Sequence, residues 1–248
     1  MTGSIRRVHP AVTALLALGL AASVLVAGVG WMARSMADAL PEIEHAHAIA
    51  LDAAGRLLLG HHDGIVTSAD GGRSWTSVIE GWDVMAVAPR STGAILVAGH
   101  GFVGSVDATG TLTRLDGGLS DRDVHSLSID PVTGDIWIAT ASGTVQRSRD
   151  DGATWEITSS GPVALLAVVD DGLIGVDPFE GLTTSIDGRS WAATGVPPTS
   201  PVASLARSSG SGAIAITGSN GVWVSDDGGA TWRMASHGPA VAATFRER

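Results

Sequence analysis

The residues of this chain best suited to chemistry are its histidines, eight of them, in a sequence with no Cys, no Lys and no Tyr. They gather in short phrases: His45-Ala46-His47, Gly60-His61-His62-Asp63-Gly64, Ala98-Gly99-His100 and Asp123-Val124-His125, with His9 and His237 standing apart. Neutral imidazole ligates both copper and zinc, and without thiolates it is the main ligand such ions find here. His45 and His47 are two residues apart, so on a strand their side chains share one side. Met85 holds the place in the second repeat that His47 and His125 hold in the first and third, and a thioether favours the cuprous ion. The expected cofactor is a copper or zinc ion on a subset of His45, His47, His61, His62, His100 and His125. A second chemistry, glycoside hydrolysis, needs paired carboxylates. Asp63, Asp83, Asp123, Asp177 and Glu180 are candidates, although each also reads as a turn or strand-end residue. The missing Cys and Lys exclude disulfides, thiolate nucleophiles, Schiff-base chemistry and a phosphate-loop lysine.

What must position these side chains is a repeat. Ser68-Ala69-Asp70-Gly71-Gly72-Arg73-Ser74-Trp75 returns as Ser148-Arg149-Asp150-Asp151-Gly152-Ala153-Thr154-Trp155 and as Ser225-Asp226-Asp227-Gly228-Gly229-Ala230-Thr231-Trp232. A shorter copy runs from Ser185 through Asp187 to Trp191, and a copy that has lost its Trp runs from Ser105 to Leu112. The leading serines step by 37, 43, 37 and 40 residues, the length of one supersecondary unit. Ser and Asp can satisfy the backbone of a tight turn, Gly takes positive φ, and Trp returns the chain to a buried face. The pattern resembles the Asp-box, or bacterial neuraminidase repeat, of β-propellers such as sialidases, sortilin-type receptors and photosystem assembly factors. The histidine phrases are also similar to those of exported bacterial proteins loosely labelled glycosyl hydrolases of the same repeat type. That resemblance implies an all-β propeller over residues 45–248. It implies structural roles for Ser68, Asp70, Gly72 and Trp75, for Ser148, Asp150, Gly152 and Trp155, for Ser185, Asp187 and Trp191, and for Ser225, Asp227, Gly229 and Trp232.

Each repeat parses as four strands, giving five blades, or six if Pro239–Phe245 adds another inner strand. Composition agrees, since 33 Gly and 44% hydrophobic residues suit many short strands joined by tight turns. Strand direction places the repeated turns on one face of the propeller and seven of the eight histidines on the other. His237 falls in the connection after the last strand.

The N-terminal residues differ in kind. Residues 11–33 run without a charge, long enough to cross the ~30 Å hydrocarbon layer as a helix. Arg6 and Arg7 precede this run, while Asp38, Glu42 and Glu44 follow it, which predicts a cytoplasmic segment 1–10, an anchor, a linker 34–44 and a propeller outside the membrane. The Ala37-Asp38-Ala39 phrase supports the rival reading of a cleaved signal peptide.

A net charge of −10 and a pI near 5.1 argue against nucleic acid as a partner. A sialidase of the resembled type uses a Tyr nucleophile and an Arg triad; this chain has no Tyr, and Arg122 alone stands near an inner-strand opening. The expected function is therefore non-catalytic: a membrane-anchored propeller that binds a metal ion, a small ligand or a protein on its histidine-bearing face. Glycosidase activity and a scaffold for assembling membrane proteins are the alternatives.

Overall fold

A computed structural model describes residue 43, residues 45–208 and residues 211–246. They form five four-stranded antiparallel sheets, each built from four consecutive strands. Blade I holds β1 (Ala46–Leu51), β2 (Leu57–His61), β3 (Gly64–Ser68) and β4 (Thr76–Glu80). Blade II holds β5 (Val84–Pro89), β6 (Ile95–Gly99), β7 (Phe102–Val106) and β8 (Leu112–Arg114). Blade III holds β9 (Val124–Ile129), β10 (Ile136–Thr140), β11 (Val145–Ser148) and β12 (Glu156–Ser159). Blade IV holds β13 (Leu165–Val169), β14 (Gly172–Asp177), β15 (Gly181–Ser185) and β16 (Ala192–Gly195). Blade V holds β17 (Val202–Arg207), β18 (Ile214–Gly218), β19 (Gly221–Ser225) and β20 (Arg233–His237). The protein is thus a five-bladed β-propeller.

The first strands β1, β5, β9, β13 and β17 adjoin one another in succession, so they are the inner strands. They are only half-buried, because one side looks onto the axis. Full burial falls on the second strands: every residue of β6, β10 and β18 is buried, on both faces. Sequences such as Ile136-Trp137-Ile138-Ala139 answer that demand with apolar side chains at every position rather than at alternate ones. Between neighbouring blades these strands build separate apolar clusters. Leu58, Ile65, Val97 and Phe102 join blades I and II, and Ala98, Val103, Val124 and Ile138 join II and III. Trp137, Leu166 and Leu173 join III and IV, and Ile174, Leu182 and Ile214 join IV and V.

The repeated octets form the turns between the third and fourth strands. Ser148 Oγ donates to Asp150 Oδ1 at 2.9 Å and accepts from Gly152 N at 2.8 Å. Asp150 in turn accepts from Thr154 N at 2.8 Å and from the Thr154 hydroxyl at 2.5 Å. The octets at Asp70 and Asp227 repeat the scheme bond for bond. In the shorter copy, Ser185 Oγ accepts from Gly188 N and Asp187 from Arg189 N. Where the Trp is lost, Asp107 still accepts from Thr109 N and Thr111 N. Trp75, Trp191 and Trp232 close on a glycine carbonyl of their own turn, whereas Trp155 Nε1 reaches Leu115 O of blade II at 2.7 Å and ties two blades together. One conformational slot is held by Gly71 (φ 75°), Gly228 (φ 71°) and, in blade III, Asp151 (φ 64°), a residue type that tolerates the left-handed region.

Two expectations about the C-terminal end are corrected. Pro239–Phe245 forms no strand; it packs instead, with Ala243 and Phe245 against Ala213, Ala215 and Val224 of blade V. A sixth blade is therefore not built. His237 is the last residue of β20 rather than part of a connection. The apolar run 11–33 and the segments 1–10 and 34–42 lie outside the described residues. Among the described residues no helix is long and apolar enough to cross a membrane.

Candidate metal centre

The histidine face is shaped by a β-bulge that recurs from blade to blade. In β1 the pairing with β2 jumps from Ala46 to Ala48, so His47 is the extra residue. The same jump occurs over Met85 in β5, His125 in β9 and Ala203 in β17. A bulge leaves its extra residue unpaired and re-aims its side chain. Two residues before the bulges of blades I, II and III stand His45, Asp83 and Asp123, and just after the second strands of blades I and II stand His62 and His100. One backbone irregularity thus sends side chains from neighbouring blades towards each other.

Two groups of histidine and aspartate side chains result, each with its candidate ligand atoms within 4.8 Å of one another: His47, His62 and Asp83, and His100, Asp123 and His125. In the first, His47 Nε2 lies 3.3 Å from Asp83 Oδ1, and His62 Nδ1 hydrogen-bonds Asp83 Oδ2 at 3.0 Å. In the second, His125 Nε2 and His100 Nδ1 lie 3.2 and 2.8 Å from Asp123 Oδ1. Both groups straddle a blade boundary, I to II and II to III. Gly99 makes the approach possible: a Cβ there would stand 1.8 Å from Asp83 O, so only glycine lets the start of blade II fold back over the end of β6 beside His100.

Four atoms in these groups are buried without a hydrogen-bond partner: His47 Nε2, Asp83 Oδ1, Asp123 Oδ1 and His125 Nε2. They form two nitrogen–oxygen pairs at ion-pair distance whose orientation does not make a hydrogen bond. Two donors of a tetrahedral ion with bonds of ~2.0–2.1 Å stand about 3.3 Å apart. Leaving such atoms unpaired costs free energy, and an ion shared between them removes that cost. The protonation state fits as well. Burial holds the His47 pKa below the ordinary imidazole value, and His62, His45 and His100 push it the same way, against the pull of Asp83. His47 therefore presents a neutral ring, the form that binds metal.

Not every expected residue joins. His45 is exposed and meets His62 edge-on, ring centres 6.1 Å apart. His61 turns to its own loop, where Nδ1 accepts from Asp63 N at 3.3 Å. Asp177 caps a turn by accepting from Phe179 N and Glu180 N, and Arg122 pairs with Asp116 at 3.7 Å. Asp83 and Asp123, weighed from sequence as hydrolytic carboxylates or strand-end residues, prove to be the centres of the two groups. Their signal was their place two residues before Met85 and His125.

Two clefts lie elsewhere. One is lined by Asp52, Arg56, Pro89 and Arg90, and another by Asp170, Thr184, Arg207 and Asp227; both open on the face of the repeated turns.

No family model and no curated protein matches the chain. Solved structures do. A gluconolactonase from Xanthomonas campestris superposes with a TM-score of 0.70 at 15% identity, covering 82% of this chain and 80% of that one. Virginiamycin B lyase from Staphylococcus aureus gives a TM-score of 0.59 at 16% identity, covering 77% and 70%. A nidogen/laminin complex gives 0.67 at 10% identity, covering 77% and 82%. The first two are propellers of the gluconolactonase and lyase kind, and none of the three is named a sialidase. At such identities they establish the fold and leave the activity to be argued from the chain's own residues.

Proposed function

We propose that this propeller binds a transition-metal ion, zinc or copper, on its histidine-bearing face and does so without catalysing a reaction. The observation that carries the reading is the pair His47 Nε2 and Asp83 Oδ1, from adjacent blades, buried, unpartnered and 3.3 Å apart. Imidazole and carboxylate suit zinc and cupric copper, and a donor set without sulfur disfavours softer ions. The apolar run 11–33 and its flanking charges support an exported domain tethered to the membrane. The Ser-x-Asp-x-Gly-x-Thr/Ser-Trp turns support kinship with Asp-box propellers. Sialidase chemistry finds no support, because the chain has no Tyr.

The test is a titration of metal-free protein with zinc and copper at pH 7.5, beside a His47→Ala/His125→Ala variant. Saturable binding that the variant loses supports the reading. Wild-type binding no tighter than that of the variant contradicts it.

A further inference from the structure

The two groups are the same arrangement one blade apart. His62 and His100 each follow a second strand, and each faces the aspartate that opens the next blade, at 3.0 Å in His62–Asp83 and 2.8 Å in His100–Asp123. His47 and His125 each occupy the bulge. His100 differs from His62 in facing both groups. Its Nδ1 lies against Asp123, while its Nε2 lies 3.7 Å from Asp83 Oδ2. Its ring meets that of His125 edge-on, centres 5.3 Å apart at 81°, so the two imidazoles do not compete for the same space.

We propose that this face takes two divalent ions, one at His47, His62 and Asp83 and one at Asp123, His125 and His100, with the His100 ring bridging them. The inference rests on the metal-binding reading above and goes further in number and linkage. Neutral imidazole has one lone pair and one N–H, so binding a second ion displaces the N–H proton to the buffer and leaves an imidazolate with a donor at each end. Ions bonded at ~2.0–2.1 Å to the two nitrogens of one ring stand about 6 Å apart. Two aspartates and the imidazolate offset most of the added positive charge. The second ion therefore enters with release of that proton, and the two metals are electronically coupled through the ring.

The experiment loads the protein with cupric ion at pH 7.5, counts bound copper per chain, and integrates the low-temperature electron paramagnetic resonance signal. The expected result is two coppers per chain whose signal, intact at one equivalent, falls well below two spins at two. His100→Ala, at a half-exposed position that leaves the core untouched, should hold one copper with a full, uncoupled signal. One copper per chain in the wild type, or two with full spin intensity, overturns the bridge while leaving metal binding standing. No bound copper overturns both.

Discussion

The two faces of this propeller are built from the same repeats and use their carboxylates in opposite ways. On the turn face, Asp70, Asp150 and Asp227 each accept from a backbone N–H and two hydroxyls, and the bonds hold their pKa values well down, to about 2 for Asp227. On the histidine face, Asp83 and Asp123 each keep one buried oxygen that accepts no hydrogen bond, with imidazole nitrogens at ion-pair distance from it. A carboxylate whose acceptors are filled by its own turn stabilises that turn. One left with a free acceptor beside an imidazole is prepared for a cation. The turn face repeats from blade to blade, while the other face changes residue type at each bulge, from His47 to Met85 to His125 to Ala203. Features that repeat carry the fold, and the departures carry the proposed binding site.

The two faces should differ most at the imidazole–carboxylate pairs that make no hydrogen bond. Asp83→Ala or His47→Ala should weaken metal binding by about 100-fold or more, since even residues behind the ligands contribute 10- to 100-fold. Calorimetric titration measures it, and near-equal affinities would place Asp83 with the turn carboxylates. Acid gives the next effect. Lowering pH from 7.5 to 5.5 sets protons against the metal for imidazole nitrogen and should weaken binding by about 10-fold or more. The lowered pKa of His47 makes its own loss smaller. Because that pKa lies below the unfolded value, the apo protein also loses His47's stabilisation as pH falls below ~6.5.

On the turn face, Ser148→Ala should destabilise the fold by about 1–3 kcal/mol, because Ser148 is 1% exposed and its loss strands Gly152 N. Chemical denaturation reads this, with metal affinity unchanged. Asp227→Ala should be milder, lowering the melting temperature by a few degrees since its carboxylate is open to water. Its folded pKa is depressed, so its contribution is present above ~4 and disappears as pH falls through about 2. A wild-type melting temperature that falls further over that window than that of Asp227→Ala supports the assignment, the remaining fall in the variant coming from Asp70 and Asp150.

Most of the fold was legible because the Ser-x-Asp-x-Gly-x-Thr/Ser-Trp turn announces its own structure through hydrogen bonds local in sequence. Pro239–Phe245 misled because an apolar stretch fits a strand or a packing segment equally well until a partner edge is known. The histidines were legible as residue types, and the strand parse placed them on one face. The sequence did not mark the bulges at His47 and His125, which are shifts of pairing register with no residue signature of their own. Nor did it single out Asp83 and Asp123 as shared partners, since an aspartate before a strand is ordinary and contacts across a blade boundary depend on the ring. Gly99 was visible as a glycine, but its need came from the backbone of Asp83, just before β5.

The most direct test is a melting-temperature matrix: wild type, His47→Ala/His125→Ala and Ser148→Ala, each with and without zinc. Zinc at 100 times its dissociation constant should raise the wild type and Ser148→Ala alike, by about 5–10 °C. The double histidine variant should melt like the metal-free wild type and ignore zinc. A histidine variant that melts much lower but still responds to zinc would contradict the division of labour between the faces.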